Sequence, residues 1–297
     1  MAKHPNHSHD QGPPPEGTIE QEFGVPIPGK VLAPELWCQT ALKKLPPLGF
    51  IDIDALFGRQ APLIVDVGCG NGRYSLGSAL DRREFDHLAA DLLPVVIRYA
   101  TRRGNQRGLT NLRFCVVDGE RLVTQLLPAA RVRELHCYHP QPYPGPGEGH
   151  GRMIQPFFLA EVIRVLEPEG LFVVQTDNDR YWHDIRIMAE EFFDFQHHPA
   201  RWPDAPRGRS RREIYALQKG MPIYRGIGKP KAGITYEEVL IRAGNLTQGE
   251  QGKNRGSGSQ RKAGFNTNPT PPLPRWPLEL SLHSTQSPQD CQSIFDL

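Results

Sequence analysis

The stretch Ile64-Val65-Asp66-Val67-Gly68-Cys69-Gly70-Asn71-Gly72 decides the fold. Apolar, β-favouring residues run into three glycines at alternate positions, and an apolar-periodic segment follows Gly72. This reads as a strand, a tight turn and a helix N-terminus. An open α/β sheet uses that device to offer backbone N–H groups and a positive helix end to a nucleotide-like ligand. The spacing discriminates between ligands. A dinucleotide fingerprint, G-x-G-x-x-G, would put its third glycine at position 73, where this chain has Arg73. A glycine turn alone serves many βα units, so the rest of the chain must support the assignment.

Outward from that turn, strand and helix patterns alternate. Strands are expected at 63–67, 87–91, 112–117, 133–138 and 170–175, with helices at about 72–80, 94–107, 119–127 and 154–166 and another after Asp179. Strands separated by helical stretches call for an α/β, doubly wound, mostly parallel sheet with helices on both faces. Right-handed crossovers then bring the C-terminal ends of the strands to one edge, where ligands bind. The stretch Phe192-Phe193-Asp194-Phe195 and the run from Glu213 to Arg225 are the candidates for closing strands.

Composition sets the outer limits. The chain has 297 residues, 38% of them hydrophobic, with 29 Gly and 29 Pro, which suggests one globular domain carrying extra irregular sequence. Residues 1–30 are rich in His, Pro, Gly and acid and are expected to be disordered or loosely draped, with 31–244 forming the domain. Residues 245–297, dominated by Gly, Ser, Gln, Asn and Pro, read as a disordered low-complexity tail. Five scattered cysteines without a C-x-x-C spacing exclude a disulfide framework and a zinc site and fit a reducing cytosol. His4, His7 and His9 read as part of a polar tail, so no metal site is expected. No apolar leader or 18-residue apolar run occurs, so a cytoplasmic protein with no membrane partner is expected. A net charge of +2 is nearly neutral, so any nucleic-acid affinity must come from local charge.

Acids stand at three successive strand ends: Asp66, Asp91 and Asp118. The second, about twenty residues beyond the glycine turn, is placed for ribose hydroxyls. The third can accept from an adenine amino group, and Asp66 can meet the ammonium of an amino-acid moiety. Together they point to adenosine joined to a cationic amino acid, although each also suits a helix N-cap, Asp118 above all. After the fourth strand comes Tyr138-His139-Pro140-Gln141-Pro142-Tyr143-Pro144, whose alternating prolines make a stiff, extended loop. A glycine-rich segment, 145–151, follows.

Further motifs carry a family resemblance. The G-x-G-x-G turn preceded by Asp66 is similar to the first motif of the S-adenosylmethionine-dependent methyltransferases. Gln155-Pro156-Phe157-Phe158-Leu159, Val165-Leu166, Glu167-Pro168-Glu169-Gly170, Gln175-Thr176-Asp177 and Tyr181 resemble the bacterial tRNA (guanine-N7-)-methyltransferases. So do Ser210-Arg211-Arg212-Glu213 and Lys219-Gly220-Met221-Pro222-Ile223-Tyr224, and the likeness covers roughly residues 60–228. It implies a seven-stranded Rossmann-like sheet, S-adenosylmethionine as cofactor and tRNA as partner. Cofactor contacts would fall on Asp66, Gly68, Gly70, Gly72, Asp91 and Asp118. Substrate contacts would fall on Asp177, Ser210, Arg211, Arg212 and Glu213. The family's Phe-Pro-Asp-Pro-Trp loop matches His139-Pro140-Gln141-Pro142-Tyr143, so its catalytic aspartate is Gln141 here. The basic run that follows in the family is mostly glycine in this chain, with only His150 and Arg152 left.

Between residues 201 and 231 lie nine arginines and lysines against two acids, Asp204 and Glu213. This cluster is the expected phosphate-contacting surface. Arg98, Arg102, Arg103 and Arg107 form a second set at helical spacing, which reads equally well as a solvated face. A methyltransferase with another acceptor and a non-catalytic tRNA- or S-adenosylmethionine-binding protein remain the alternatives. A monomer or homodimer is expected.

Overall fold

The computed structural model describes residues 14–142 and 151–255. Its centre is a seven-stranded sheet formed by β1 (Leu63–Val67), β2 (Asp86–Asp91), β3 (Leu112–Val116), β4 (Val132–Tyr138), β5 (Leu166–Thr176), β6 (Phe193–His197) and β7 (Tyr224–Pro230). The strand order is β3-β2-β1-β4-β5-β7-β6. The first five strands are mutually parallel, and β7 enters antiparallel between β5 and β6. All five residues of β1 are buried, as a strand covered on both faces requires. The helices are α1 (Ile53–Phe57), α2 (Arg73–Asp81), α3 (Pro94–Gln106), α4 (Gly119–Arg121), α5 (Pro156–Val165), α6 (Asp179–Phe192), α7 (Arg211–Gln218) and α8 (Tyr236–Arg255). A π-helical turn, Leu122–Leu126, continues α4.

The first strand reverses its neighbours' winding direction: β2 and β3 lie on one side of β1, and β4 and β5 on the other. The carboxyl ends of β1 and β4 therefore part at the middle of the sheet and open a crevice there. The glycine turn rises from β1 into that crevice, with Gly68, Gly70 and Gly72 at φ 76°, 55° and 77°, all in the left-handed region. The turn hangs from β2 through hydrogen bonds from the Gly68 and Cys69 N–H groups to the Ala90 carbonyl, both 2.9 Å.

Three expectations need correction. The run from Glu213 to Arg225 is not one strand: it holds the last six residues of helix α7 and a turn, and the closing strand starts only at Tyr224. Residues 14–30, expected to be loose, pack on the sheet domain. Val25, Ile27 and Val31 are buried, and the Ile27 N–H donates to the Glu20 carbonyl. Residues 245–255, assigned to a tail, continue α8. Residues 1–13 and 256–297 lie outside the described residues. Residues 40–42 lie along the edge strand β3, with the Phe114 N–H donating to Thr40 at 2.7 Å and the Leu42 N–H donating to Phe114 at 2.8 Å. They pair the edge that would otherwise be open.

A Cβ at Gly72 would fall 2.8 Å from the Phe114 ring and 2.9 Å from Ala100, in a left-handed backbone. Gly72→Ala is therefore expected to cost about 2–4 kcal/mol, from backbone strain and overpacking together. Urea unfolding with an unchanged m-value would show it.

Candidate active site

A cleft of about 700 Å³ opens at the carboxyl edge of the sheet. One wall is the glycine turn, with Asp66, Gly68, Cys69, Gly70 and Asn71. The facing wall is Tyr138 to Pro142, Thr176 and Asp177, and Arg209 to Arg212 close one end. A Cβ at Gly68 or Gly70 would meet nothing within 4 Å, so this stretch of backbone faces open space and a ligand can approach it closely.

Asp66 is 3% exposed. Its Oδ2 accepts a 2.5 Å hydrogen bond from Ser75 Oγ, and its Oδ1 is buried without a hydrogen-bonding partner. Burial pushes its carboxyl up to about 7. The Ser75 bond and the Arg209 charge oppose that shift, and nearby Asp91 adds to it. Such a group calls for a cation in the cleft. Asp91 braces the turn, accepting from the Gly70 N–H at 2.9 Å and the Leu93 N–H at 2.9 Å. Asp118 is exposed and caps α4, accepting from the Arg121 N–H at 3.1 Å. Neither Asp91 nor Asp118 is among the residues lining the cleft. Cys69 also lines it, but burial, Asp66 and Asp91 push its thiol well above the ordinary range, so it supplies no thiolate nucleophile.

On the facing wall, β4 ends in Tyr138 and the chain turns at His139, whose φ is 52°. That left-handed backbone costs a histidine about 1–2 kcal/mol. Exposed Gln141 follows, between the fixed φ angles of Pro140 and Pro142. The far end of the loop is held by Arg152, which donates through Nε to the Pro142 carbonyl at 2.6 Å and through Nη1 to Asp184 at 2.5 Å. Tyr143 and His150 lie outside the described residues. Asp177 accepts from Arg212 on Oδ2 (2.9 and 2.6 Å) and meets His139 Nδ1 at 2.9 Å on Oδ1. Burial opposes its ionisation, but those bonds and charges outweigh it and hold the carboxyl below the usual range.

The structure divides the Ser210–Glu213 motif. Ser210 Oγ accepts from the Glu213 N–H at 3.0 Å, and Glu213 Oε2 accepts from the Arg209 N–H at 2.8 Å. The two residues cap α7. Glu213 is 1% exposed and pairs with buried Arg225 at 2.7 Å, away from the cleft. Ser210, Arg211 and Arg212 do line it.

Other residues lining the cleft include Arg209, expected only as part of the basic cluster, and Phe23 and Arg73, which the sequence did not nominate as site residues. Arg209 donates to the Tyr138 hydroxyl at 2.7 Å and to Asp204, with its guanidinium 4.2 Å from the Trp202 ring centroid. Phe23 reaches the cleft from a two-stranded turn, Gln21–Glu22 with Val25–Pro26, and Arg211 lies 5.0 Å from its ring centroid. Arg73, at the start of α2, donates to the Gly208 carbonyl at 3.1 Å and the Pro26 carbonyl at 2.7 Å, joining those segments.

Of the basic cluster, Arg201, Arg207, Arg211 and Lys219 are exposed, whereas Arg209 and Arg225 are drawn inward. Arg102, Arg103 and Arg107 converge on Glu20, at 2.9, 3.6 and 3.1 Å, and so anchor the N-terminal segment. Among the described residues no group of three or more His, Cys, Asp or Glu could hold a metal ion, and no helix is long and apolar enough to cross a membrane.

Residues 60–225 match a family described as "Putative methyltransferase". A tRNA (guanine-N(7)-)-methyltransferase of Halorhodospira halophila is 31% identical over 193 residues, covering 64% of this chain and 83% of the relative. Its counterpart in an Arthrobacter species is 33% identical over 158 residues, 52% of this chain and 50% of that relative. Among solved structures, the 16S rRNA methyltransferase KamB aligns with a TM-score of 0.45 at 17% identity, over 61% of this chain and 94% of that one.

The buried Glu213–Arg225 pair and the α7 cap set an expectation of their own. Glu213→Ala leaves a buried guanidinium unpaired and should cost about 3–5 kcal/mol, and Ser210→Ala about 1 kcal/mol. Denaturant melts of both variants check this. Unchanged stability with weakened RNA binding would reassign the motif to recognition.

Proposed function

The chain belongs to the tRNA (guanine-N7-)-methyltransferase family, and from that premise we propose that it methylates N7 of a guanine in tRNA, using S-adenosylmethionine, in the cytoplasm. One observation carries the reading: a single cleft faces the open glycine turn and Asp66 on one side and the Pro140-Gln141-Pro142 loop with Thr176 and Asp177 on the other. The groups present suit the cofactor. The turn leaves room for it, and the buried, unpartnered Asp66 Oδ1 suits its cationic amino-acid end. When bound, S-adenosylmethionine supplies an electrophilic methyl group.

Guanine N7 carries a free lone pair, so no residue has to remove a proton. The protein's task is to hold N7 in line with the transferred methyl group and to exclude other approaches, which is catalysis by proximity and orientation. Gln141 and Asp177 stand where the guanine edge would meet the loop wall, and both can accept from its N–H donors. Asp177 is ionised and so also favours the positive charge that the base acquires. Gln141 retains an acceptor oxygen but no charge. Exposed Arg201, Arg207, Arg211 and Lys219 supply the phosphate-facing charge beside the cleft. Gln141 itself motivates a second reading, a homologue that binds tRNA without methylating it.

Purified protein incubated with unmodified tRNA and S-adenosylmethionine should form 7-methylguanosine, detected by mass spectrometry of the nucleosides. Gln141→Asp should raise kcat about tenfold, since a charge-assisted bond is roughly twice as strong as a neutral one. Cofactor binding without product would establish the second reading.

Cofactor affinity should depend on pH through Asp66. Ligand-free protein holds its proton up to about pH 7, whereas a cationic ligand selects the ionised form. Affinity should therefore rise about tenfold per pH unit below 7 and level off above it. In the ligand-free protein the sign for stability is the opposite. Between the ordinary carboxylate range and pH 7 the native state keeps a proton that the unfolded chain has released, so stability falls as pH rises. Asp66→Asn should abolish both dependences. Calorimetric titration and thermal melts across pH 5–8 measure them.

A further inference from the structure

We propose that His139 is a positioning residue that aims Gln141 into the cleft through one enforced ring tautomer, an inference that rests on the reading of the cleft as a methyl-transfer site. The ring lies between two fixed partners. Trp202 Nε1–H, which can only donate, gives a 2.6 Å hydrogen bond to Gln175 Oε1. That bond turns the Gln175 amide so that its NH₂ group faces His139 Nε2 at 2.8 Å. Nε2 must then be the bare, accepting nitrogen. The proton resides on Nδ1 and is donated to Asp177 Oδ1 at 2.9 Å. The backbone adds a third tie, with the His139 N–H donating to the Gln175 carbonyl at 2.6 Å. Gln175 is fully buried and Trp202 is 4% exposed, so water cannot readily substitute for these partners.

The restraint acts where the loop leaves the sheet. Before His139 the chain is locked into the sheet, where Tyr138 pairs with Gln175. After it, Pro140 and Pro142 fix their own φ angles and the Pro142 carbonyl is held by Arg152. The backbone angles of His139, whose φ of 52° lies in the left-handed region, therefore set the direction in which the chain enters Pro140-Gln141. Such a conformation persists where surrounding contacts over-determine it. Here those contacts are Gln175 and Asp177. The same ring also holds one oxygen of Asp177, whose other oxygen is held by Arg212, so the two groups facing the base have an anchor in common.

The test uses the full chain with three readouts. In wild-type protein, ¹⁵N NMR of the His139 ring should show the Nδ1–H neutral form, and an Nε2–H form would overturn the proposal. In His139→Ala, ¹⁵N relaxation at the Gln141 amide should show lost order, and kcat should fall about tenfold or more while cofactor Kd and tRNA KM stay within about threefold. His139→Asn keeps a donor toward Asp177 and tolerates positive φ, so it should recover most of the lost rate. An ordered Gln141 or an undiminished kcat in His139→Ala overturns the proposal. So does an equal loss of binding and rate, which marks a general structural role. If wild-type protein makes no 7-methylguanosine, the functional reading fails, while the tautomer and the Gln141 order still decide this proposal.

Discussion

The hydrogen bond from the Gly70 N–H to the Asp91 carboxylate, 2.9 Å long, ties the turn after β1 to the end of β2. Everything at the sheet edge is referred to it. Glycine turns have little stiffness of their own, because their residues visit both signs of φ freely. This one is held instead by a side chain from the neighbouring strand and by the Ala90 carbonyl. The same carboxylate accepts from the Leu93 N–H and so directs the chain into α3. Asp91 therefore sets this wall of the cleft from outside it. Gly72, packed against Phe114 and Ala100, seats α2 close to the sheet and completes the wall.

The opposite wall is held from beneath by a chain of buried polar groups. Arg82 grips Glu134 with two bonds, and Glu134 meets His136 Nε2 at 3.0 Å. His136 Nδ1 meets the Tyr138 hydroxyl at 2.8 Å, and Tyr138 accepts from Arg209. Because Arg209 only donates, the Tyr138 hydrogen is directed to His136 Nδ1 and the His136 proton to Glu134. Burial lowers the basicity of His136 and raises the Tyr138 hydroxyl well above its ordinary range. The chain thus stays un-ionised at its centre and charged at its ends. A network so fully satisfied gives rigidity more than net stability. Rigidity is what a reaction governed by orientation demands.

How much of this was legible in the sequence follows from how local each signal is. Strands β1 to β5 were readable because each carries a short β-favouring apolar stretch between helical segments, although only β1 is buried along its whole length. β7 was not, since Tyr224-Arg225-Gly226-Ile227-Gly228-Lys229-Pro230 has two glycines and a proline where a strand normally carries bulk. The missing bulk comes from elsewhere: Phe195 and Phe193 occupy the space that side chains at Gly226 and Gly228 would fill. Helix α7 carries a local signal, Ser210 with Glu213 three residues later: the pair caps the helix, and Ser210 also lines the cleft while Glu213 turns away from it. Asp66 and the glycines were readable because strand, turn and helix are contiguous. The place of Phe23 and the roles of Arg209 and His139 depend on contacts across many tens of residues, and no local pattern announces them.

The loop wall shows why a substituted residue need not mean a lost function. A carboxylate at position 141 would hold the base by charge and would tolerate some error in direction, because Coulombic attraction varies slowly with angle. A neutral amide relies on hydrogen-bond alignment, which weakens steeply as the angle departs from linear. The amide at Gln141 therefore demands a more accurately aimed loop, and in this chain the loop is aimed by a histidine ring fixed on both nitrogens rather than by simple apolar packing. Charge has not left the wall either. Asp177, kept ionised by His139 and Arg212, stands on the same face and can offset the positive charge formed on the base. On this view the loop has exchanged charge for alignment, and its competence depends on His139 as much as on Gln141.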